Sequence, residues 1–242
     1  MIPRFFCPLP LAPGATLELP EAVAHHALNV LKLGAGETVI LFDGHGGEWQ
    51  AVLQLAGKRP LARLTAFSEP LRESALHVTL AQALPAADKM DWIVQKAVEL
   101  GVARIQPVTA RRSVVKLSGP RVERRQTHWQ GVAVAACEQS GRTQVPEVLP
   151  LLDLPHYLAQ TGAEANLRLI AAPVATLHLR QLVPPSTRVD LLIGPEGGFE
   201  SDELHAARAA GFQTIQLGPR VLRTETAGLA ALAAMQTLWG DF

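Results

Sequence analysis

From residue 77 onward, short apolar segments alternate with longer segments of helical period, and this restricts the fold more than any other feature. "HVTLAQAL", "ARIQPVTA", "LRLIAA", "VDLLI" and "TIQL" are mainly apolar runs rather than strict polar–apolar alternations. Strands of that kind are buried on both faces and need helices on both sides, which is the arrangement of a parallel α/β sheet. The predicted helices are "DKMDWIVQKAVEL", from about Asp88 to a stop at Gly101, and "PRVERRQTHWQGVAVAACEQS", opened by Pro120 and closed by Gly141. Others are expected over residues 177–182, 202–210 and 225–238. The last of these is apolar nearly all round and must be buried, and its alanines and Gly228 allow close approach to a core or a subunit partner.

Residues 1–70 read differently. "ETVILFD" and "EWQAVLQL" flank "DGHGG", a hairpin signal, "RPLARLTAF" is a third strand, and "PEAVAHHALNVLKL" is a short helix with proline at its start. A small barrel-like domain with one helix is expected over residues 1–72, and the α/β domain over residues 73–242.

With 242 residues, 48% apolar and 18% charged, both domains can hold a core. The longest uncharged apolar run, residues 226–240, is shorter than the roughly 20 residues that span a bilayer. The N-terminal "MIPRFFCPLPLAPG" has no basic-then-apolar signal pattern. Cys7 and Cys137 form no CxxC, and the histidines lack metal spacing. A cytoplasmic protein without structural metal is expected. The formal net charge is zero, yet residues 103–142 carry +6 against −2 before and −4 after them. That segment faces a polyanion or is a solvated helix face, and charge alone leaves both open.

Ligands of open parallel sheets sit outside the carboxyl ends of strands. Two post-strand loops have the glycine content for this, "GPEGGFES" after "VDLLI" and "LGPRVLRTET" after "TIQL". The first looks like a phosphate cradle but holds Glu196, Glu200, Asp202 and Glu203 and no cation. A phosphate loop supplies a lysine with its backbone N–H groups. The local charge instead suits a ligand that is neutral or cationic where it meets the loop, and S-adenosylmethionine fits that description.

The motifs "DKMDWIVQKAVELGV", "RRSVV", "EQSGR", "IGPEGGFESDE" and "LGPRVLRTETA" together resemble the RsmE family, and "RFF…HALNVLKLGAGETVILFDG" is similar to its PUA-like RNA-binding domain. Lys32 stands where the family usually carries arginine, keeping the charge without the planar fork. The resemblance implies a SPOUT-type parallel sheet with a C-terminal trefoil knot, a small N-terminal PUA-like β-barrel, and a homodimer. It implies methylation of N3 of one uridine in 16S rRNA, within the 30S subunit, using S-adenosylmethionine. Competing readings are a 2′-O-ribose methyltransferase and a non-catalytic RNA-binding protein.

Carried onto this sequence, the cofactor site comprises Gly194, Pro195, Glu196, Gly197 and Gly198 with Leu217, Gly218, Val221, Leu222, Arg223, Thr226 and Ala227. Arg223 is expected to balance charge on the uracil imide, its alternative being a salt bridge to Glu225 or Glu196. Glu196 and Glu138 are candidate proton acceptors with a structural alternative as caps or hydrogen-bond acceptors. RNA contacts are expected from Arg4, His26, Lys32, Arg111, Arg112, Arg121, Arg125 and Arg142. Arg121, Arg125 and His128 form one stripe of the long helix, while Trp129, Val132, Ala133 and Ala136 form an apolar face that belongs to a core.

Overall fold

A change of hydrophobic period near residues 68–74 divides the chain into two kinds of structure. A computed structural model describes residues 2–56, 59–160, 167–173, 175–185 and 187–242. It contains two compact units, residues 1–73 with 137–145, and residues 74–136 with 146–242.

The first unit is built on β1 (Arg4–Phe6), β2 (Thr16–Glu18), α1 (Glu21–His25), β3 (Thr38–Phe42), β4 (Glu48–Ala56) and β5 (Arg59–Ser68). The expected hairpin forms, with β3 antiparallel to β4 and β4 to β5, and the strand order is β1-β3-β4-β5-β2. Among the described residues no ladder joins β1 to β2, so hydrogen bonding does not close the sheet into a barrel. A shared core serves instead, in which Phe5 of β1, Leu19 after β2, Val23 of α1, and Leu41, Leu53 and Leu64 of the other strands are buried together. Opposite Gln50 and Ala51 the register skips Thr65, a bulge that bends β5 around this core. The short helix continues as a π-helical turn, His26–Val30, and the exposed Lys32 beyond it adopts φ 57°, uncommon without glycine. His26 is half-buried, its ring edge-on to Phe5 at 5.5 Å.

Residues 137–145 join this unit, which the boundary expected at residue 72 did not anticipate. Glu138 accepts the Phe6 N–H at 2.8 Å, and Arg142 meets Glu73 at 2.7 Å. Two expected RNA contacts are corrected here. The Arg142 side chain is 8% exposed in that ion pair. The Arg4 side chain is 9% exposed, paired with Glu48 and donating to the carbonyls of Gly141 and Arg142 at 3.1 and 3.3 Å. Both guanidiniums are committed inside the protein, where a phosphate could bind only by breaking a shielded ion pair.

The second unit carries β6 (His77–Ala83), α2 (Lys89–Glu99), β7 (Arg104–Thr109), α3 (Pro120–Ser140), β8 (Glu147–Val148), β9 (Leu152–Asp153), α4 (Leu154–Gln160), β10 (Leu167–Ala171), β11 (Arg188–Ile193), α5 (Ser201–Ala209), β12 (Gln213–Ile215) and α6 (Thr224–Trp239). The last turn of α3 counts with the first unit. Every pairing is parallel, in the order β12-β10-β11-β6-β7-β8, with β9 also on β7. The helix expected at residues 177–182 is a single 3-10 turn, Leu179–Gln181, where the prolines of "VPP" follow at once. Gly101 and Gly141 end α2 and α3 in the left-handed region, at φ 79° and 84°.

The apolar α6 is a core helix of this unit. At Gly228 an added Cβ would lie 3.3 Å from Leu80 of β6 and 3.5 Å from Ile193 of β11, so the missing side chain lets helix and sheet approach. On α3, Trp129, Ala133 and Ala136 are buried as an apolar face should be. The basic stripe beside it is less free than its spacing suggests: His128 meets Asp91 at 2.7 Å and Arg125 lies 3.7 Å from Asp88. Arg121 is exposed and pairs with no carboxylate among the described residues.

Candidate active site

The carboxyl ends of three adjacent strands, β12, β10 and β11, open into one cavity of about 520 Å³. Such a position is where open parallel sheets take ligands, because the loops there diverge. Its walls are the post-β11 loop at residues 193–199 and the post-β12 loop at residues 215–224, with Ala227 of α6. Of the expected cofactor residues, Gly194, Pro195, Glu196, Gly197, Gly198, Leu217, Gly218, Val221, Leu222, Arg223 and Ala227 line it. Thr226 does not; it is exposed in the first turn of α6, with its N–H on the Arg223 carbonyl at 2.9 Å. Sequence reasoning missed Lys89, Phe199, Arg220 and Thr224, and also the Ala171–Ala172–Pro173 wall after β10. Proline directly after a mainly apolar strand was the available signal for that third loop.

The walls are tied by buried polar contacts. Thr224 opens α6 and is 6% exposed. Its hydroxyl donates to the Gly194 carbonyl at 2.6 Å and accepts the Gln82 amide at 2.9 Å. Gln82, fully buried at the end of β6, also donates to the Ala83 carbonyl at 2.9 Å. Gly218 has φ 99°, and no atom lies within 4 Å of where its Cβ would project, so backbone there can face a ligand directly.

The expectation that no cation stands beside the first loop is corrected. Parallel order sets the loops after β6 and β7 on the same side as that after β11, and both bring charges unseen in the local sequence. Lys89 lies 3.0 Å from Glu196 and 3.2 Å from Glu225. Arg111 pairs with Glu200 at 3.2 Å and with Asp202, and Arg112 donates to the Gly197 carbonyl at 2.9 Å. Glu203, buried in the first turn of α5, accepts the N–H groups of Glu200 and Arg111, both at 2.9 Å. Lys89 and Arg111 each meet two carboxylates, while Arg220 and Arg223 of the lining meet none among the described residues.

Arg223 does not make the alternative pair with Glu196 or Glu225; Lys89 occupies both. Among the described residues the exposed Arg223 side chain meets no carboxylate, while its backbone is fixed as the N-cap of α6. Glu196, the candidate proton acceptor, is ion-paired with Lys89. Burial pushes its carboxyl up, but the Lys89 ammonium and the Ala86 N–H at 3.0 Å outweigh that and hold it below the usual range. A carboxylate so held is a weaker base. Glu138, the other candidate, belongs to the first unit and does not line this cavity.

A parallel sheet with a glycine-lined cavity at its carboxyl edge defines a nucleotide- or cofactor-binding α/β class, and comparison with known proteins narrows it. Residues 72–236 match the family described as an RNA methyltransferase domain, and residues 19–62 match the RNA methyltransferase PUA domain. A ribosomal RNA small subunit methyltransferase E from Neisseria gonorrhoeae, solved bound to S-adenosyl methionine, is 42% identical with TM-score 0.94, covering 100% of both chains. A putative methyltransferase from Legionella pneumophila, solved with its bound cofactor SAM, is 35% identical with TM-score 0.95, again over 100% of both chains. The Bacillus subtilis ribosomal RNA small subunit methyltransferase E is 31% identical over 91% of this chain and 89% of its own. The chain belongs to the ribosomal RNA small subunit methyltransferase E family, enzymes of the RNA methyltransferase class.

Proposed function

We propose that this protein transfers the methyl group of S-adenosylmethionine to N3 of one uridine in the 16S RNA of the small ribosomal subunit. The observation that carries the reading is the cavity at the ends of β12, β10 and β11, in a chain similar throughout to a relative solved with that cofactor. The residues fit the group: apolar Ile193, Leu217 and Leu222 can hold an adenine, and backbone at Gly194 and Gly218 can meet polar edges. When bound, S-adenosylmethionine supplies an activated methyl group.

The chain's own part is positioning and charge stabilisation. Arg223, at the cavity mouth and free of carboxylate partners among the described residues, stabilises the negative charge that develops on the uracil imide as N3 loses its proton. Glu196 holds the loop rather than taking the proton. Arg121 and Arg125, with Lys32 and His26 of the first unit, contact RNA phosphates; Arg111 can do so only by leaving Glu200 and Asp202, and Arg112 only by leaving Glu200 and the Gly197 carbonyl.

The finer expectations belong to the same proposal. A trefoil knot is supported by β10 lying between β11 and β12, and a homodimer by exposed Leu238 and Phe242 near the end of α6. No helix among the described residues is long and apolar enough to cross a membrane, and a 30S substrate implies the cytoplasm. Calorimetry with S-adenosylmethionine, followed by transfer of labelled methyl to 16S RNA or 30S subunits, tests the reading. Failure to bind the cofactor would overturn it in favour of a non-catalytic RNA-binding protein, and binding without transfer would overturn the assigned substrate.

A further inference from the structure

Lys89 is the first residue of α2, yet its ammonium reaches two other elements. It lies 3.0 Å from Glu196 in the post-β11 loop and 3.2 Å from Glu225 in the first turn of α6. The backbone delivering it is shaped for the task. Ala87 adopts φ 56°, a conformation that costs energy without glycine, and Ala86 donates its N–H to the same Glu196 oxygen at 3.0 Å. Glu225 Oε2 is shielded from solvent and has no aligned hydrogen-bond donor among the described residues, so the ammonium is what balances its charge. Glu225 stands two residues after Arg223, the N-cap of the same helix.

We infer that Lys89 is a positioning residue for methyl transfer: by joining Glu196 to Glu225 it clamps the two walls of the cavity and fixes the helix start that carries Arg223. The inference rests on the function proposed above. Without the ammonium, the exposed Glu196 carboxylate and the Glu225 carboxylate, whose Oε2 is shielded, would face one another unbalanced, and their repulsion would part the post-β11 loop from α6. The Thr224–Gly194 hydrogen bond would then carry the junction alone. Arg223 would remain present but misplaced, and small misplacements are costly in reactions that depend on alignment. The bond to Glu196 raises the Lys89 pKa, with Glu225 adding to it, so the clamp stays charged throughout the neutral range.

The test is single-turnover methyl transfer at saturating S-adenosylmethionine to small ribosomal subunits lacking the methyl group. Cofactor affinity and thermal stability are measured on the same preparations. Lys89→Met is expected to lower the rate about tenfold to a hundredfold while the protein stays folded. Lys89→Arg, which keeps the charge, retains most of the rate. The deciding variant is the double substitution Lys89→Met with Glu225→Gln. Removing the second carboxylate relieves the repulsion, so the double variant is expected to recover most of the lost rate, which a packing role for the lysine stem would not produce. A wild-type rate in Lys89→Met, or a double variant no better than the single, would overturn the inference. An inactive wild-type protein would instead overturn the proposed function.

Discussion

Thr224 and Gly194, thirty positions apart, are joined by a 2.6 Å hydrogen bond from the threonine hydroxyl to the glycine carbonyl, and this bond fixes the start of α6 against the post-β11 loop. Thr224→Val keeps the shape but leaves the Gly194 carbonyl without that donor. It should cost about 1–3 kcal/mol of stability, the usual penalty for an unsatisfied buried group, and weaken cofactor binding. Thr224→Ser should preserve both. Denaturant unfolding with calorimetry on the two variants checks this.

Gly197 has a different reason to be glycine from the one its loop suggests. A Cβ there would meet Arg112 Cβ at 2.9 Å, so any side chain pushes the basic loop off the cofactor loop. Gly197→Val should therefore weaken S-adenosylmethionine binding even though its first clash is with protein. Gly197→Ala should be milder when combined with Arg112→Gly. Equal losses in both backgrounds would return the explanation to ligand space.

Charge in the sequence separates into two behaviours. Arg142→Ala leaves Glu73 with the Thr143 and Gln144 N–H groups and should cost about 1.5–3 kcal/mol, the scale of a hydrogen bond to a charged group, without changing the salt dependence of RNA binding. Arg121→Ala should do the opposite, leaving stability intact and lowering the log–log salt slope by roughly 0.7–0.9. Chemical denaturation and binding titrations at several salt concentrations distinguish them.

Glu196→Gln should reduce methyl transfer only modestly, because Lys89 keeps Glu225 and the amide can still accept the Ala86 N–H. Loss of a true general base would cost on the order of 10²–10⁴. Rates across neutral pH at saturating cofactor settle which applies.

Arg223→Ala should lower the single-turnover rate by about 10²–10³, the scale for one preorganised charge-stabilising donor. Cofactor affinity should change little. Arg223→Lys should recover part of the rate, since the ammonium keeps charge but not the fork. A near-normal rate beside weakened cofactor affinity would remove Arg223 from the mechanism.

These contrasts also mark what the sequence could convey. The parallel sheet was legible because apolar strands and capped helices leave local signatures, and the two glycine loops because glycine and proline punctuate strand ends. Lys89, Arg111 and Arg112 were not legible as neighbours of Glu196, Glu200 and Gly197, because strand order rather than chain order brings them there. Arg4 and Arg142 were misread for a related reason: a charge count cannot separate a guanidinium facing solvent from one enclosed by Glu48 or Glu73. α4 went unseen because seven residues with a proline in the first turn carry too little period to register.

The central claim is the atom that receives the methyl group. Small ribosomal subunits lacking the modification, incubated with this protein and S-adenosylmethionine, can be digested to nucleosides and oligonucleotides for mass spectrometry of the 16S RNA. The account predicts a single new methyl group on a uracil base at N3, absent when Arg223→Ala replaces the wild-type protein over the same interval. A methyl group on a ribose hydroxyl, on another base, or nowhere in the RNA would contradict it.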